Sequence, residues 1–535
     1  MGDVDNWNLR FGWRRLAHVC RKWRYLIYDS SSLLDMHLLL TNGSPTLDSL
    51  VHLPPFPLVI DYCNMSTARV GQDGLSILTG LQQRGRVRRI FLQLPSPHLD
   101  ICLATMNDLY PILEDLSLST TTTTTTTEEE MSLALPSTFL AQNLRHVDLQ
   151  GVGFPTQLPL FTYFTTLVTL TLTRIPASYY FHPGHLVSQL QGLLHLEELS
   201  IGFAVPIPLP STERELLPPP MLRVTLPTLR RLMFRGVAVY LEDLVAQINT
   251  PLLEELVITL FFEFAFTLAS LTQFIHTTRD LTCLSAKVLF KREGVSIVIN
   301  NGESMSGGGL TIEVPCEQLD WQIDSATQCC GALERCLSAV EELTLDLDKN
   351  GMASDWNDSL DSALWHELLV PFGSVKKLQI GSSLTFELSD ALKPDATEFV
   401  LNLLPELKTI EVQVEVNDGN RAFSTFIGTR ELEGRPVELT SPFELLLNAA
   451  LRNYAKKTKK DLGRHPLAEQ LKTCDSVDSI TSVLQEHAKA FPGGEELMRP
   501  MKRAVYVLFT LSSSTVRGEA VAPVCLKSLM STPSL

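Results

Sequence analysis

Apolar residues recur along this chain in one spacing, apolar-x-x-apolar-x-apolar. Units of it begin at Val87, Leu113, Leu144, Leu167, Leu196, Leu229 and Leu253, more weakly at Leu281 (with Leu284 and Ala286), and after a longer gap at Val340, Val375 and Leu407. Apart from that gap, successive units start 23 to 35 residues apart. One such match arises by chance in any leucine-rich chain; eleven in order do not. The spacing is the core of the leucine-rich repeat, L-x-x-L-x-L. The last two apolar positions alternate with polar ones, as a short strand with one buried face requires, and the first anchors the turn entering it. Stacked units predict an α/β fold: a parallel sheet backed by helices or loops. The usual Asn or Cys three residues past the third apolar position is missing, replaced by Val152, Ile175, Ala204, Val237 and Phe261. Without that buried Asn, the expected solenoid is irregular.

Other stretches depart from this pattern. Trp13, Leu16, Cys20, Trp23 and Ile27 fall at steps of three and four, predicting an amphipathic helix over 13–27 packed on the neighbouring part of the chain. The runs Val295–Ile299 and Leu310–Val314, joined by Ser306-Gly307-Gly308-Gly309, read as a hairpin-like insertion in the repeat gap. Thr120 to Thr127 followed by Glu128 to Glu130 has neither periodicity and reads as a loop. At Ser441-Pro442-Phe443-Glu444 the chain switches to helical spacing, opened by a Ser cap, Pro at the first helical position and a Glu closing the capping box. Three further helical stretches come after it, interrupted at Pro492-Gly493-Gly494. The expected divisions are a helical segment over 1–40, the repeats over 41–440, and a separate all-helical domain over 441–535.

Composition narrows the function. At 535 residues, 44% hydrophobic and 19% charged, the chain has apolar surface for a sizeable core, which excludes disorder throughout. A formal net charge of −16 argues against nucleic acid as a partner, since phosphates call for a basic face. The most apolar stretch, Leu256 to Ile275, is broken by Glu263 and too short for a membrane span, so no membrane association is expected. No apolar signal segment opens the chain, so the ten cysteines read as reduced thiols in the cytoplasm or nucleus. Cys316, Cys329, Cys330 and Cys336 lack metal-ligand spacing and read as small buried hydrophobes, with no metal expected. No phosphate-binding loop, dinucleotide fingerprint, H-E-x-x-H or G-x-S-x-G occurs. A non-enzymatic protein without a cofactor is the expectation.

Two family resemblances sharpen it. Trp13-Arg-Arg-Leu-Ala-His-Val-Cys-Arg-Lys-Trp-Arg, Leu34-Asp-Met-His-Leu and Pro54-Pro-Phe-Pro-Leu-Val-Ile-Asp-Tyr resemble the F-box-like leucine-rich-repeat proteins of basidiomycete fungi. The resemblance continues at Cys316-Glu-Gln-Leu-Asp-Trp-Gln-Ile, Trp365-His-Glu-Leu-Leu-Val-Pro-Phe and Leu403-Leu-Pro-Glu-Leu, covering about residues 10–440. It implies an F-box remnant that docks on the Skp-type adaptor of a cullin-RING ubiquitin ligase, with the repeats holding a protein substrate. Leu16, Val19, Cys20, Trp23 and Leu26 match the rear half of the box and would carry the adaptor contact. The front half has no counterpart before Trp13, so the chain as it stands is expected to bind the adaptor weakly or not at all.

Residues 442 to about 510, through Phe443-(x)5-Ala449-Ala-Leu-(x)2-Tyr454-Ala-Lys-Lys-Thr, His465-Pro-Leu-Ala and Val483-Leu-Gln-Glu-His, resemble the fungal Goodbye domain found in front of STAND ATPases. That resemblance implies homotypic contacts, and self-association through 442–510 is the matching expectation. Three functional readings stay open: a substrate receptor of a cullin-RING ligase, an NLR-like signalling or scaffold protein, and two neighbouring genes read as one.

Overall fold

The computed structural model describes residues 19–440 except 30–36, 42–55, 64–66, 122–132, 155–163, 207–222, 279–283, 301–308, 349–361, 394–402 and 413–415. The helical domain and self-association expected over 441–535, most of the Thr run, and Leu16 all lie outside the described residues. The chain divides into two compact units, one of Met1–Phe261 with Gln273–Asp280, the other of Phe262–Thr272 with Leu281–Leu535.

In the first unit the strands are β1 (Leu38–Thr41), β2 (Leu58–Tyr62), β3 (Val87–Leu94), β4 (Asp115–Thr120), β5 (His146–Gln150), β6 (Thr169–Ile175), β7 (Glu198–Phe203), β8 (Val224–Thr225), β9 (Arg231–Gly236), β10 (Ile248–Asn249) and β11 (Glu255–Leu260). All but β8 and β10 form one parallel array in chain order, and those two pair with each other. The expected alternation produces two aliphatic rows. Ile90, Leu116, Val147, Leu170, Leu199, Leu232 and Leu256 stand in register, and so do Leu92, Leu118, Leu149, Leu172, Ile201, Phe234 and Ile258. Every one of them is 2% exposed or less. At roughly 1.5–3 kcal/mol for burying each such side chain, these rows are the main reason the units stack. The array also starts earlier than the repeat pattern, because Leu38, Leu40, Leu58 and Ile60 in β1 and β2 are buried in the same way.

Backbone groups do the tying that a buried Asn does in regular repeats. The Glu114 carbonyl accepts from the N–H of Arg145 (2.7 Å) and of His146 (3.0 Å) on the next turn. The carbonyls of Arg145, Val168, Glu197 and Arg230 repeat this double contact at each later strand entry. At the strand exits, Val152 and Ile175 are buried in place of the missing Asn. One extra residue interrupts the register: between Leu172 and Ile175, β6 bulges against β7, and Arg174 takes φ +52°.

The second unit contains β12 (Ser285–Lys291), β13 (Gly294–Asn300), β14 (Gly309–Val314), β15 (Glu342–Leu347), β16 (Lys377–Ile380), β17 (Thr409–Val412) and β18 (Glu438–Thr440). β12, β13 and β14 form an antiparallel meander, so the insertion expected at 295–314 is present and also pairs with the repeat strand before it. Gly294 turns this hairpin at φ +153°, where a Cβ would run into the Val314 carbonyl. From β12 a parallel array continues through β15, β16, β17 and β18. Its buried rows correct the weakest repeat. Ala286 and Val288 pair with Leu343 and Leu345, whereas Leu284 is exposed. The expected frame was two residues early, because an alanine in a buried row gives a weak apolar signal.

The front helix also needs correction. It runs over Arg21–Asp29, and Val19 and Cys20 precede it as a turn, so among the described residues the stripe expected from 13 to 27 is not one continuous helix. The Cys20 thiol accepts the Trp23 N–H at 3.5 Å, within the first turn, where no helical carbonyl is available. Of its described apolar residues Trp23 and Leu26 are exposed, as is Val19 before it. Among the described residues no helix is long and apolar enough to cross a membrane.

Candidate recognition surface

Strand alternation that buries one side chain presents the next on the opposite face, and parallel pairing lines these up across the first unit. One row reads Arg89, Asp115, His146, Thr169, Glu198, Arg231, Glu255; the next reads Phe91, Ser117, Asp148, Thr171, Ser200, Met233, Val257. Neighbouring rungs answer each other in charge. Arg89 Nε lies 2.7 Å from Asp115, His146 Nδ1 lies 3.1 Å from the Thr169 hydroxyl, and Arg231 pairs with Glu198. One row toward the strand entries, Arg88 meets Glu114 at 2.9 Å and Arg230 pairs with Glu254. Side-chain hydrogen bonds continue the ladder, from Ser117 to Asp148 (3.2 Å) and from Ser119 to Gln150 (2.8 Å). Desolvation raises the Asp148 carboxyl above its ordinary range, and the Ser117 hydroxyl partly opposes this. Pairs at this exposure contribute little stability; what they do is fix a patterned face with His146, Met233 and Arg235 open to solvent.

An open groove of about 570 Å³ runs along the strand entries of the same unit. Its walls are the residues flanking the first apolar position of successive repeats: Ile112 and Glu114, Asn143 and Arg145, Thr166 and Val168, His195 and Glu197, and then Thr228. The wall is built by pegs from one turn to the one before. Asn143 Nδ2 donates to the Pro111 carbonyl (2.6 Å), Thr166 Oγ1 to that of Leu144 (2.9 Å), and Thr228 Oγ1 to that of Leu196 (2.9 Å). Residue types vary between turns, so the sequence pattern does not reveal this groove. In the second unit the exposed face is built by the same logic, with Lys377 on Glu411 (2.9 Å), Lys287 on Asp346 (3.6 Å) and Thr344 donating to Gln379 (3.0 Å).

Of the residues expected to meet an adaptor, Val19, Cys20, Trp23 and Leu26 lie together at the front helix and are exposed, Trp23 at 47%. They belong neither to the strand rows of the sheet face nor to the lining of the groove. Cys316, Cys329, Cys330 and Cys336 are buried free thiols, and among the described residues no His, Cys, Asp and Glu cluster could hold a metal ion. Burial pushes the Cys316 thiol up to about 11 and that of Cys329 to about 12, which suits packing and not nucleophilic chemistry.

A scan against models of known protein families finds no match, and a search of curated proteins finds none either. Among solved structures, the chain is similar to the leucine-rich repeat-containing protein LegL7 from Legionella pneumophila, with 12% identity, a TM-score of 0.25, and coverage of 75% of this chain and 98% of that chain. The repeating unit is seen in the strand register itself.

Proposed function

We propose that this chain is a non-enzymatic protein-interaction module, a leucine-rich-repeat receptor whose sheet face and strand-entry groove hold a protein partner. The observation that supports this is the in-register face of the first unit. Parallel strands present their side chains in register, with Arg89 on Asp115, Arg231 on Glu198, and solvent-facing His146, Met233 and Arg235, and among the described residues no cluster there could hold a metal ion. Binding surfaces place sparse anchors on a rigid scaffold in this way. Affinity purification with quantitative mass spectrometry tests it, comparing the wild-type chain with a variant carrying His146→Glu, Met233→Glu and Arg235→Glu. Partners retained by the first and lost by the second support the proposal. An identical partner set overturns it.

The finer reading is an F-box-type substrate receptor of a cullin-RING ubiquitin ligase, the front helix meeting a Skp-type adaptor. Its support is the exposed apolar group of Trp23 and Leu26 on the helix and Val19 just before it. A chain extended by a complete leading half of the box should bind the adaptor, and Trp23→Ala in it should weaken binding about tenfold, roughly 1.4 kcal/mol, as for a buried aromatic anchor. Binding indifferent to Trp23→Ala, or none in the extended chain, rejects this reading.

A further inference from the structure

The second unit carries an exposed aromatic group that the repeat pattern does not call for. The Phe262 ring stacks on Trp321, with centroids 5.3 Å apart and planes 18° apart, and meets Phe264 edge-on at 5.4 Å. Phe264 is 81% exposed and Trp321 41%. These rings come from segments far apart in sequence, and both segments are pinned. Gln328 accepts the Phe266 N–H (2.9 Å) and donates to the Phe264 carbonyl (3.0 Å) and to Asp324 (2.9 Å), tying the 262–266 loop to the helix Leu319–Ala332. That helix is held in rotation by fully buried Gln322, which donates to the carbonyls of Lys291 (2.8 Å) and Cys316 (2.9 Å). With Gln322 inward, its neighbour Trp321 faces out. The rings are therefore positioned by polar side chains, Gln328 tying the loop to the helix and Gln322 tying the helix to the end of β12.

The two stretches that supply the rings carry charge of one sign. Stretches 262–272 and 315–328 together carry Glu263, Glu317, Asp320 and Asp324 and no Lys or Arg. Lys291, whose carbonyl meets Gln322, turns its ammonium to Glu313 at 3.1 Å. We propose that the Phe262/Phe264/Trp321 patch is a docking site for a basic segment of a partner protein, a Lys- or Arg-bearing extended peptide whose cations lie over the rings and against the carboxylates. Aromatic faces attract cations by their quadrupole, and carboxylates beside them add to the attraction. The same charge disfavours the other occupants of an exposed apolar patch. A second copy of a chain with net charge −16 brings acid to acid, and an anionic lipid surface or nucleic acid is repelled.

The probe is a fluorescein-labelled twelve-residue peptide of alternating Lys and Gly, with a Glu-for-Lys peptide as control, titrated against the full chain by fluorescence anisotropy. The basic peptide should bind and the acidic one should not. Phe264→Ala and Trp321→Ala should each weaken binding at least fivefold, and Asp320→Asn with Glu317→Gln should weaken it and flatten its salt dependence. Phe264 is exposed enough that its removal should leave the thermal melt unchanged, which separates lost docking from lost folding. Diffuse attraction to an acidic protein would survive both aromatic substitutions, so peptide binding indifferent to them overturns the proposal, as does binding to anionic vesicles in preference to the peptide. Removing sheet-face side chains without adding charge, by His146→Ala with Met233→Ala, should leave peptide binding unchanged, so the outcome is read independently of the sheet-face proposal.

Discussion

The Arg430 guanidinium donates to the Leu404 carbonyl at 3.1 Å, and Leu404 is one of two non-glycine residues described with positive φ, +51°. The same Nη2 lies 3.4 Å from the Pro405 carbonyl and 3.5 Å from that of Leu407, so one buried arginine on the helix Val416–Leu432 organises the turn entering β17. Burial lowers its pKa from the ordinary value, with Arg435 adding to the effect. All three carbonyls meet the same guanidinium nitrogen, so the charge and the length of the arginine stem place one donor group at the centre of the turn.

Arg430→Met should therefore cost about 3 kcal/mol, the sum expected when charge-assisted hydrogen bonds are lost and buried carbonyls stay unpaired. Arg430→Lys should recover only part. Chemical denaturation of the two variants and the parent checks this, and equal midpoints for all three would reject the role given to Arg430.

In the repeat core, Leu172→Ala or Ile258→Ala should cost about 2–5 kcal/mol, the range for truncating a buried aliphatic chain. Both stand in the same in-register buried row, at 1% and 0% exposure. Midpoints unchanged from the parent would refute the stacked-row account of the fold.

The strand-entry pegs have a smaller and more specific effect. The Thr228 hydroxyl lies 2.9 Å from the carbonyls of both Leu194 and Leu196. Thr228→Val keeps the shape and removes the donor, so it should cost about 1 kcal/mol. Hydrogen exchange should rise around 194–198 while β4 and β5 stay protected. A uniform rise across the unit would mean that the peg acts on global stability and not on its own turn.

The buried rows were legible in the sequence because strand periodicity is local: Leu113, Leu116 and Leu118 announce their own strand. β1 and β2 were not, since Leu38-Leu39-Leu40 and Leu58-Val59-Ile60 are continuous apolar runs without the repeat's spacing. The misframed unit at Leu284 failed for the opposite reason, a repeat match at the wrong two residues. The recognition surface was illegible in a different sense. His146 faces Thr169 and Phe262 faces Trp321 only after pairing and packing bring distant segments together, and no single window of sequence contains either pair. The exposed front helix reversed a local inference, because an amphipathic stripe states which side is apolar and says nothing of whether anything covers it.

Cysteine reactivity gives a last test, resting on electrostatics at the start of the sheet. Cys63 is exposed, so accessibility alone predicts a reactive thiol. Yet its thiol is pushed up to about 12, first by desolvation, then by donating to the Asp61 carboxylate at 3.2 Å, and by that carboxylate's charge. The thiolate is the nucleophile, and a pKa near 12 leaves about one thiolate in ten thousand at pH 8. Raising the pKa lowers reactivity at every pH below it. Iodoacetamide at pH 8 should thus label Cys63 at least a hundredfold more slowly in the native chain than in urea, measured peptide by peptide in a mass spectrometer. Asp61→Asn removes the charge and the acceptor's strength while leaving the desolvation, so it should restore part of the rate and not all of it. Native labelling of Cys63 as fast as in urea would show that the thiol does not donate to Asp61.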